Sequence, residues 1–198
     1  MIRLFDIFFS FLGLLFLSPV FLLIAIAIKM DSRGGVFFIQ ERLGKDRKPF
    51  GLIKFRSMKT QAEKMGQLTV GSSDSRITDT GKFLRKFKID ELPQLLNVLK
   101  GEMSLVGPRP EVPKYVKYYN SDQIRVLNVR PGMTDRASIE FIDENDILAK
   151  SKDPEQTYIK EVLPAKLKLS LEYAQNPRLI EYFRIVLKTI FKILGYSQ

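Results

Sequence analysis

Residues Ile7 to Ile28, IFFSFLGLLFLSPVFLLIAIAI, run for 22 positions without a charge. As a straight helix this run would rise roughly 33 Å, about one hydrocarbon thickness of a bilayer. It is too long for the core of a signal peptide, and no small-residue cleavage site follows it. The plain reading is a single transmembrane helix, but two features point elsewhere. Ser18-Pro19 falls at the midpoint, where proline removes a backbone donor and clashes with the preceding turn. Basic residues flank both ends, Arg3 before the run and Lys29 and Arg33 after it, so no positive-inside asymmetry orients a span. A re-entrant helix that dips into the membrane and returns to the same face accounts for both features.

The chain of 198 residues carries 32 Lys+Arg against 22 Asp+Glu, a formal charge of +10. That balance favours anionic partners: nucleic acid, a lipid surface or phosphorylated substrates. There is no cysteine, which excludes disulfides, thiol nucleophiles and Cys-ligated metal centres, and no histidine, the commonest general base. Catalysis by this chain has to run on carboxylates, lysine, arginine, tyrosine, hydroxyls, or an oxygen-bound hard cation such as Mg2+.

After Met30 the composition changes. Val36–Gln40 and Phe50–Phe55 read as two strands of a hairpin joined by a Gly-Lys-Asp-Arg-Lys-Pro turn, within a basic belt beside the apolar run. Residues 66–81 form a Gly/Ser/Asp/Thr-rich loop, either a connector or a substrate loop. Leu92, Leu95, Leu96 and Leu99 fall at i, i+3, i+4, i+7 and predict a short helix ended by Lys100-Gly101. Asp90 and Glu91 stand at its start. Acids belong at a helix N-terminus as caps and dipole partners, so the pair is either a cap or a site. Arg109 sits between Pro108 and Pro110, which restrict its backbone; a guanidinium so held suits a diphosphate, and a surface turn is the plainer alternative. Asp153-Pro154 marks a further helix start. Arg178 to Leu194 predicts a basic amphipathic helix, with Leu179, Phe183, Val186, Leu187, Ile190 and Leu194 on its apolar face. That face packs either on the core or in the bilayer interface.

Taken in order, the Ser-Pro-interrupted apolar start, QERLGKDRKPFGLIKFRSM, DSRITDTGKFLRKFKIDELPQLLNVLKGEMSLVGPRP and RPGMT make nearly the whole chain resemble the small monotopic phosphoglycosyl transferases of the bacterial sugar transferase family. The resemblance implies an α+β, mainly helical fold. Residues 1–30 would form a re-entrant membrane helix and 31–198 a cytoplasmic catalytic domain, on the cytoplasmic face of the bacterial inner membrane. It implies transfer of a phosphosugar from a UDP-sugar to a polyprenyl (undecaprenyl) phosphate with release of UMP. Asp90 would be the nucleophile, forming a phosphosugar-aspartyl intermediate; Glu91, with Asp90 beside it, would hold Mg2+; Arg109 would bind phosphate. Arg85 would link the catalytic core to the membrane helix, and Ser18-Pro19 would be the break in that helix. Lys54 and Arg56 are further candidate phosphate contacts, and Arg130 and Thr134 candidate nucleotide-sugar contacts. Membrane lipids are the other expected partners, and a homodimer is left open. One departure stands out: Asp135-Arg136 follows RPGMT where relatives continue with small residues, which alters size and charge near the expected sugar pocket.

Two other classes compete: a membrane-tethered basic module for acidic lipid or nucleic acid, and a non-catalytic scaffold whose helix 179–194 docks a partner transferase. Neither gives the Asp-Glu pair or Pro-Arg-Pro a role. The lack of tryptophan and the small extent of aromatic-basic interleaving argue against nucleic acid.

Overall fold

A computed structural model of the chain describes residues 1–62, 71 and 74–195; the loop expected over 66–81 lies partly outside them. The apolar run forms one helix, α1 (Ile2–Asp31), with Pro19 inside it and Ser18 Oγ donating to Leu15 O at 2.8 Å. The chain thus traces a single helix where a break at Ser18-Pro19 was expected. At 30 residues, α1 is long and apolar enough to cross a membrane. Its most exposed residues are large and apolar, including Leu4, Phe8, Phe11, Phe16 and Leu23.

One stripe of α1 faces the rest of the protein. Asp6, Ser10 and Gly13, and two turns further on Phe21, Ile24 and Ile28, follow three- and four-residue spacing, and they are either buried or in contact with the domain. Near the N-terminus Arg3 donates to Val98 O (2.6 Å) and Leu99 O (3.0 Å). Asp6 is 2% exposed, and its Oδ1 accepts from Ser104 Oγ, the Leu105 amide and Tyr182 Oη, each at 3.0 Å. A carboxylate in an apolar helix is costly unless it is hydrogen-bonded, and these donors come from two different elements. At the other end Ile28 packs with Phe55 and Leu84, and Asp31 Oδ2 accepts from the Thr80 amide at 2.9 Å.

The expected hairpin is present and longer than its apolar residues suggested: β1 (Phe37–Leu43) pairs antiparallel with β2 (Pro49–Phe55), from Phe37↔Phe55 to Leu43↔Pro49. Then follow α2 (Asp79–Lys86), a 3-10 turn at Ile89–Glu91, α3 (Gln94–Lys100) and β3 (Ser104–Val106). Gly101 ends α3 in the left-handed region at φ 87, where an L side chain would be strained. The apolar stripe read for this helix does not describe its packing. Gln94, Leu95, Asn97 and Val98 are buried, whereas Leu96 is exposed. The reason is that α3 is wedged between α1 and β2: Leu95 meets Gly13, and Asn97 accepts from the Ile53 amide and donates to Gly51 O and Glu102.

The remainder is helical: α4 (Pro113–Val116), a 3-10 stretch at Gln123–Asn128, β4 (Gly132–Thr134), α5 (Arg136–Glu140), α6 (Glu144–Ala149), α7 (Pro154–Thr157), α8 (Leu163–Gln175) and α9 (Leu179–Ile193). Asp153 caps α7, as its sequence suggested, accepting from the Gln156 amide, and a π-helical turn, Tyr158–Val162, joins α7 to α8. β3 and β4 pair in parallel, with Ser104 opposite Gly132 and Val106 opposite Thr134. A Cβ on Gly132 would lie 2.1 Å from the Gly107 amide, so the two backbones touch where only glycine fits. In α9 the buried face is Tyr182 and Ile185, while Leu187, Ile190 and Leu194 of the expected apolar face are exposed. α9 therefore packs on the core by one face and carries a second, uncovered apolar face. Phe183 meets Phe5 and Phe9 of α1 edge-on, at ring-centroid distances of 5.2 and 6.3 Å.

Truncating the Asp6 carboxylate should loosen all of this. Asp6→Ala leaves Tyr182 Oη, Ser104 Oγ and the Leu105 amide without their acceptor, an expected loss of about 3 kcal/mol. Asp6→Asn keeps an acceptor oxygen and should lose less than half as much. Thermal unfolding of the detergent-solubilised protein reads the difference.

Candidate active site

The turn that carries Asp90 begins at Lys88, whose backbone is left-handed (φ 56, ψ 20). Asp90 is not the cap of α3: the helix starts four residues later, at Gln94 after Pro93, and Asp90 makes no side-chain hydrogen bond among the described residues. It is 5% exposed and lines a cavity of about 490 Å3, within the usual range for small-molecule sites. Glu91, next in sequence, is bound by two cations. Lys54 Nζ, from β2, donates to its Oε1 at 2.9 Å; Arg109 donates through Nη1 to Oε2 at 3.1 Å and through Nη2 to Oε1.

Arg109 is held from both sides of its segment. On one side the Gly107 amide donates to Thr134 O (3.0 Å) and the Gly132 amide to Pro108 O (2.9 Å), extending the β3–β4 pairing. On the other, Arg42 donates to Pro110 O at 2.9 Å and pairs with Glu111 at 3.3 Å, and the Leu43 amide donates to Glu111 O. Tyr158 Oη, from the π-helical turn, donates to Glu111 Oε2. Arg42, Glu111 and Tyr158 were not singled out from sequence. Their roles depend on contacts across 47 to 69 residues, and no local pattern encodes them.

Adjacent carboxylates have thus been driven apart. Burial pushes the Asp90 carboxyl above its ordinary value and Glu91 adds to the rise, with Lys54 opposing. Burial would raise Glu91 as well, but Arg109 and Lys54 outweigh it and hold Glu91 well below the usual carboxylate range. Lys54 is lowered by burial despite Glu91, and Arg109 is raised by Glu91. The outcome is one carboxylate neutralised by two cations and a second, more basic one open to the cavity.

The other expected site residues divide. Thr134 lines the cavity, its hydroxyl 2.7 Å from that of Thr189 on α9. Arg85 lines it as well but makes no hydrogen bond to α1 among the described residues; it acts on Asp90 through charge. The link to the membrane helix expected of Arg85 is made instead by Arg56 and Arg3. Arg56 is 6% exposed and donates to Ile28 O, Ser32 O and Arg33 O, capping the C-terminal end of α1 rather than offering those donors to a phosphate. Arg130 does not line the cavity and donates to Gly101 O at 2.9 Å. Asp135 and Arg136 do not shape the cavity either. Asp135 caps α5 through the Ser138 amide and accepts from Ser170 on α8, and Arg136 pairs with Glu172 and Glu181, tying α5 to α8 and α9.

Among the described residues no three or more carboxylates converge as a metal cage. Mg2+ does not require one, since it is commonly held by one or two carboxylates with substrate phosphates and water. Glu91 Oε1 accepts two hydrogen bonds and Oε2 one, so Oε2 keeps one acceptor direction beside the open Asp90 carboxylate. That all-oxygen donor pair fits the ion.

Residues 1–196 match the bacterial sugar transferase family, and the chain belongs to it. It is 37% identical over 193 residues to the UDP-N-acetylgalactosamine-undecaprenyl-phosphate N-acetylgalactosaminephosphotransferase of Aeromonas hydrophila, covering 96% of this chain and 42% of that protein. It is 37% identical over 191 residues to the UDP-glucose:undecaprenyl-phosphate glucose-1-phosphate transferase of Escherichia coli (strain K12), covering 94% and 39%. Against the exopolysaccharide production protein ExoY of Sinorhizobium fredii it is 34% identical over 203 residues, covering 95% and 83%. The chain spans about two fifths of the length of the first two.

The two carboxylates should respond oppositely to neutralisation. Glu91→Gln leaves Lys54 and Arg109 without their counter-charge, an expected loss of about 3 kcal/mol at pH 7. Because Glu91 is lowered in the folded state, its contribution is present above its unfolded value and lost on acidification. The penalty should therefore shrink below about pH 4. Asp90 is raised, so its ionisation opposes folding as pH rises, and Asp90→Asn should increase the melting temperature at pH 7 but not at acid pH. Melting curves of both variants from about pH 2 to about pH 8 make the comparison.

Proposed function

We propose that this chain transfers a phosphosugar from a UDP-sugar to undecaprenyl phosphate at the cytoplasmic face of the bacterial inner membrane, releasing UMP, with Asp90 as the nucleophile. The observation that carries the reading is the asymmetry of the acidic pair: Glu91 is tied by Lys54 and Arg109, while Asp90 is buried, more basic and open to the cavity. The printed activities of the Aeromonas and E. coli relatives support the substrate classes.

In this reading a carboxylate oxygen of Asp90 attacks the phosphorus next to the sugar, and the bond to the UMP oxygen breaks. The phosphosugar is left on Asp90 and UMP departs. Covalent carboxylate catalysis needs neither histidine nor cysteine. Arg109 keeps three of its five N–H donors for phosphoryl oxygens after binding Glu91. Mg2+, held by Glu91 and Asp90, would supply charge neutralisation at the diphosphate. The basic-module reading leaves the split between Asp90 and Glu91 without a use.

We also propose monotopic attachment, in the re-entrant sense, for α1. Both of its ends grip one domain: Arg3 and Asp6 at the start, and Asp31 and the carbonyls bound by Arg56 at the end. A helix crossing a bilayer could not keep both ends on a domain at one side. The uncovered apolar face of α9 would rest in the same interface.

Two experiments test these readings. Asp90→Asn should be folded and lose transfer by at least a thousandfold. Wild type incubated with UDP-sugar alone should gain one phosphosugar mass, which the variant should not, and double-reciprocal plots for the two substrates should be parallel. Intersecting plots with no adduct would sink the covalent mechanism. For topology, the chain has no cysteine of its own, so a single thiol at Leu4 or Arg33 reports alone. Both should label from the cytoplasmic side, and labelling from opposite sides would mean a span.

A further inference from the structure

Several of the cations that line the cavity are already engaged by carboxylates. Lys54 and Arg109 are bound to Glu91, Arg42 to Glu111, and Lys166 to Glu144. Lys59, Arg85, Lys88 and Lys192 line the same cavity, and their side chains make no hydrogen bond or ion pair among the described residues. Of these, Arg85 and Lys88 are half-buried and act through charge on Asp90, with no carboxylate in direct contact. Lys88 is also held in a left-handed backbone that most L residues avoid, two positions before Asp90.

Their surroundings indicate which anion reaches them. Arg85 lies in the last turn of α2, whose Phe83 and Phe87 are 59% and 40% exposed. Leu84 of the same helix packs on Ile28 of α1, so this edge of the cavity borders the apolar helix. A phosphate attached to a lipid cannot leave the interface and has to approach from such an edge, whereas a soluble nucleotide is under no such restriction.

We propose that Lys88 binds the phosphate monoester of the lipid acceptor and brings it to Asp90 for the second half of the reaction. The inference rests on the transferase reading above. An acceptor phosphate oxygen attacks the phosphorus held on Asp90; the new P–O bond forms, the bond from phosphorus to the Asp90 oxygen breaks, and its electron pair returns to the carboxylate. A phosphate monoester has its second pKa near 6 and enters largely as the dianion, so no proton has to be removed and no base is needed. Charge balances at three negatives on each side: dianion plus monoanionic phosphosugar ester becomes a diphosphate with two charges and a free carboxylate. The difficulty of the step is bringing a dianion against an anionic ester, and the Lys88 ammonium group, in the same cavity and close enough to act on Asp90 through charge, relieves it.

Lys88→Gly is the informative variant, because glycine accepts φ 56 and the turn keeps its shape while losing the amine. Adduct formation from UDP-sugar alone, read by intact mass, should stay within twofold of wild type. The acceptor kcat/KM should fall at least tenfold, as expected for loss of a charge-assisted hydrogen bond, with the donor KM little changed. Lys88→Arg should restore most of the acceptor kcat/KM. A fall in adduct formation equal to the fall in the acceptor step, or an unchanged acceptor kcat/KM, would overturn the assignment. Binding to phosphatidylglycerol vesicles free of polyprenyl phosphate separates the two phosphate sources. A loss there with the acceptor kcat/KM intact would make Lys88 a headgroup contact and overturn it as well. Wild type that forms no adduct and releases no UMP with acceptor present would refute the transferase reading itself, a result distinct from a Lys88 variant that behaves as wild type.

Discussion

The rest of the structure depends on a carboxylate placed where an apolar helix should have none. Asp6 lies in the first turns of α1, almost wholly buried, and one of its oxygens gathers donors from β3 and α9. β3 runs directly into the segment that carries Arg109, and its pairing with β4 fixes one side of that segment. The apolar helix is therefore bonded to the strand that leads into Arg109. Such an arrangement tolerates little movement between membrane anchor and site.

The site itself is built by unequal treatment of two neighbours in sequence. Asp90 and Glu91 differ by one position on a 3-10 turn, yet one is paired with two cations and the other is left to the cavity. That separation is what lets a protein without histidine or cysteine hold a charged carboxylate and a more basic one side by side. The Arg42–Glu111–Tyr158 contacts serve it at one remove, by fixing the backbone that follows Arg109.

Residues with local signatures were legible in the sequence: the apolar helix, the hairpin, the Asp153 cap of α7 and the acidic pair beside Pro-Arg-Pro. Periodicity misjudged helices packed on two sides. α3 buries Asn97 and Gln94 because it is caught between α1 and β2, and α9 turns Tyr182 and Ile185 inward while Leu187 and Ile190 stay exposed. Long-range polar contacts were out of reach. Arg56 sits in a basic belt and reads as a phosphate ligand, but three carbonyls at the end of α1, 23 to 28 residues away, claim it. Asp135-Arg136 read as a change in the pocket and proved to be a cap and a clamp between helices.

The bond between Asp6 and Tyr182 joins residues 176 positions apart, and this has a consequence for synthesis. A ribosome adds residues at about 5 to 20 per second, so α1 emerges and meets the bilayer well before α9 exists. During that interval Asp6 has no tyrosine to bind, and a carboxylate at lipid depth is expensive. Until Tyr182 is made, a carboxylate in the first turns of α1 raises the cost of carrying that end of the helix into lipid, a cost that the later hydrogen bond to Asp6 offsets.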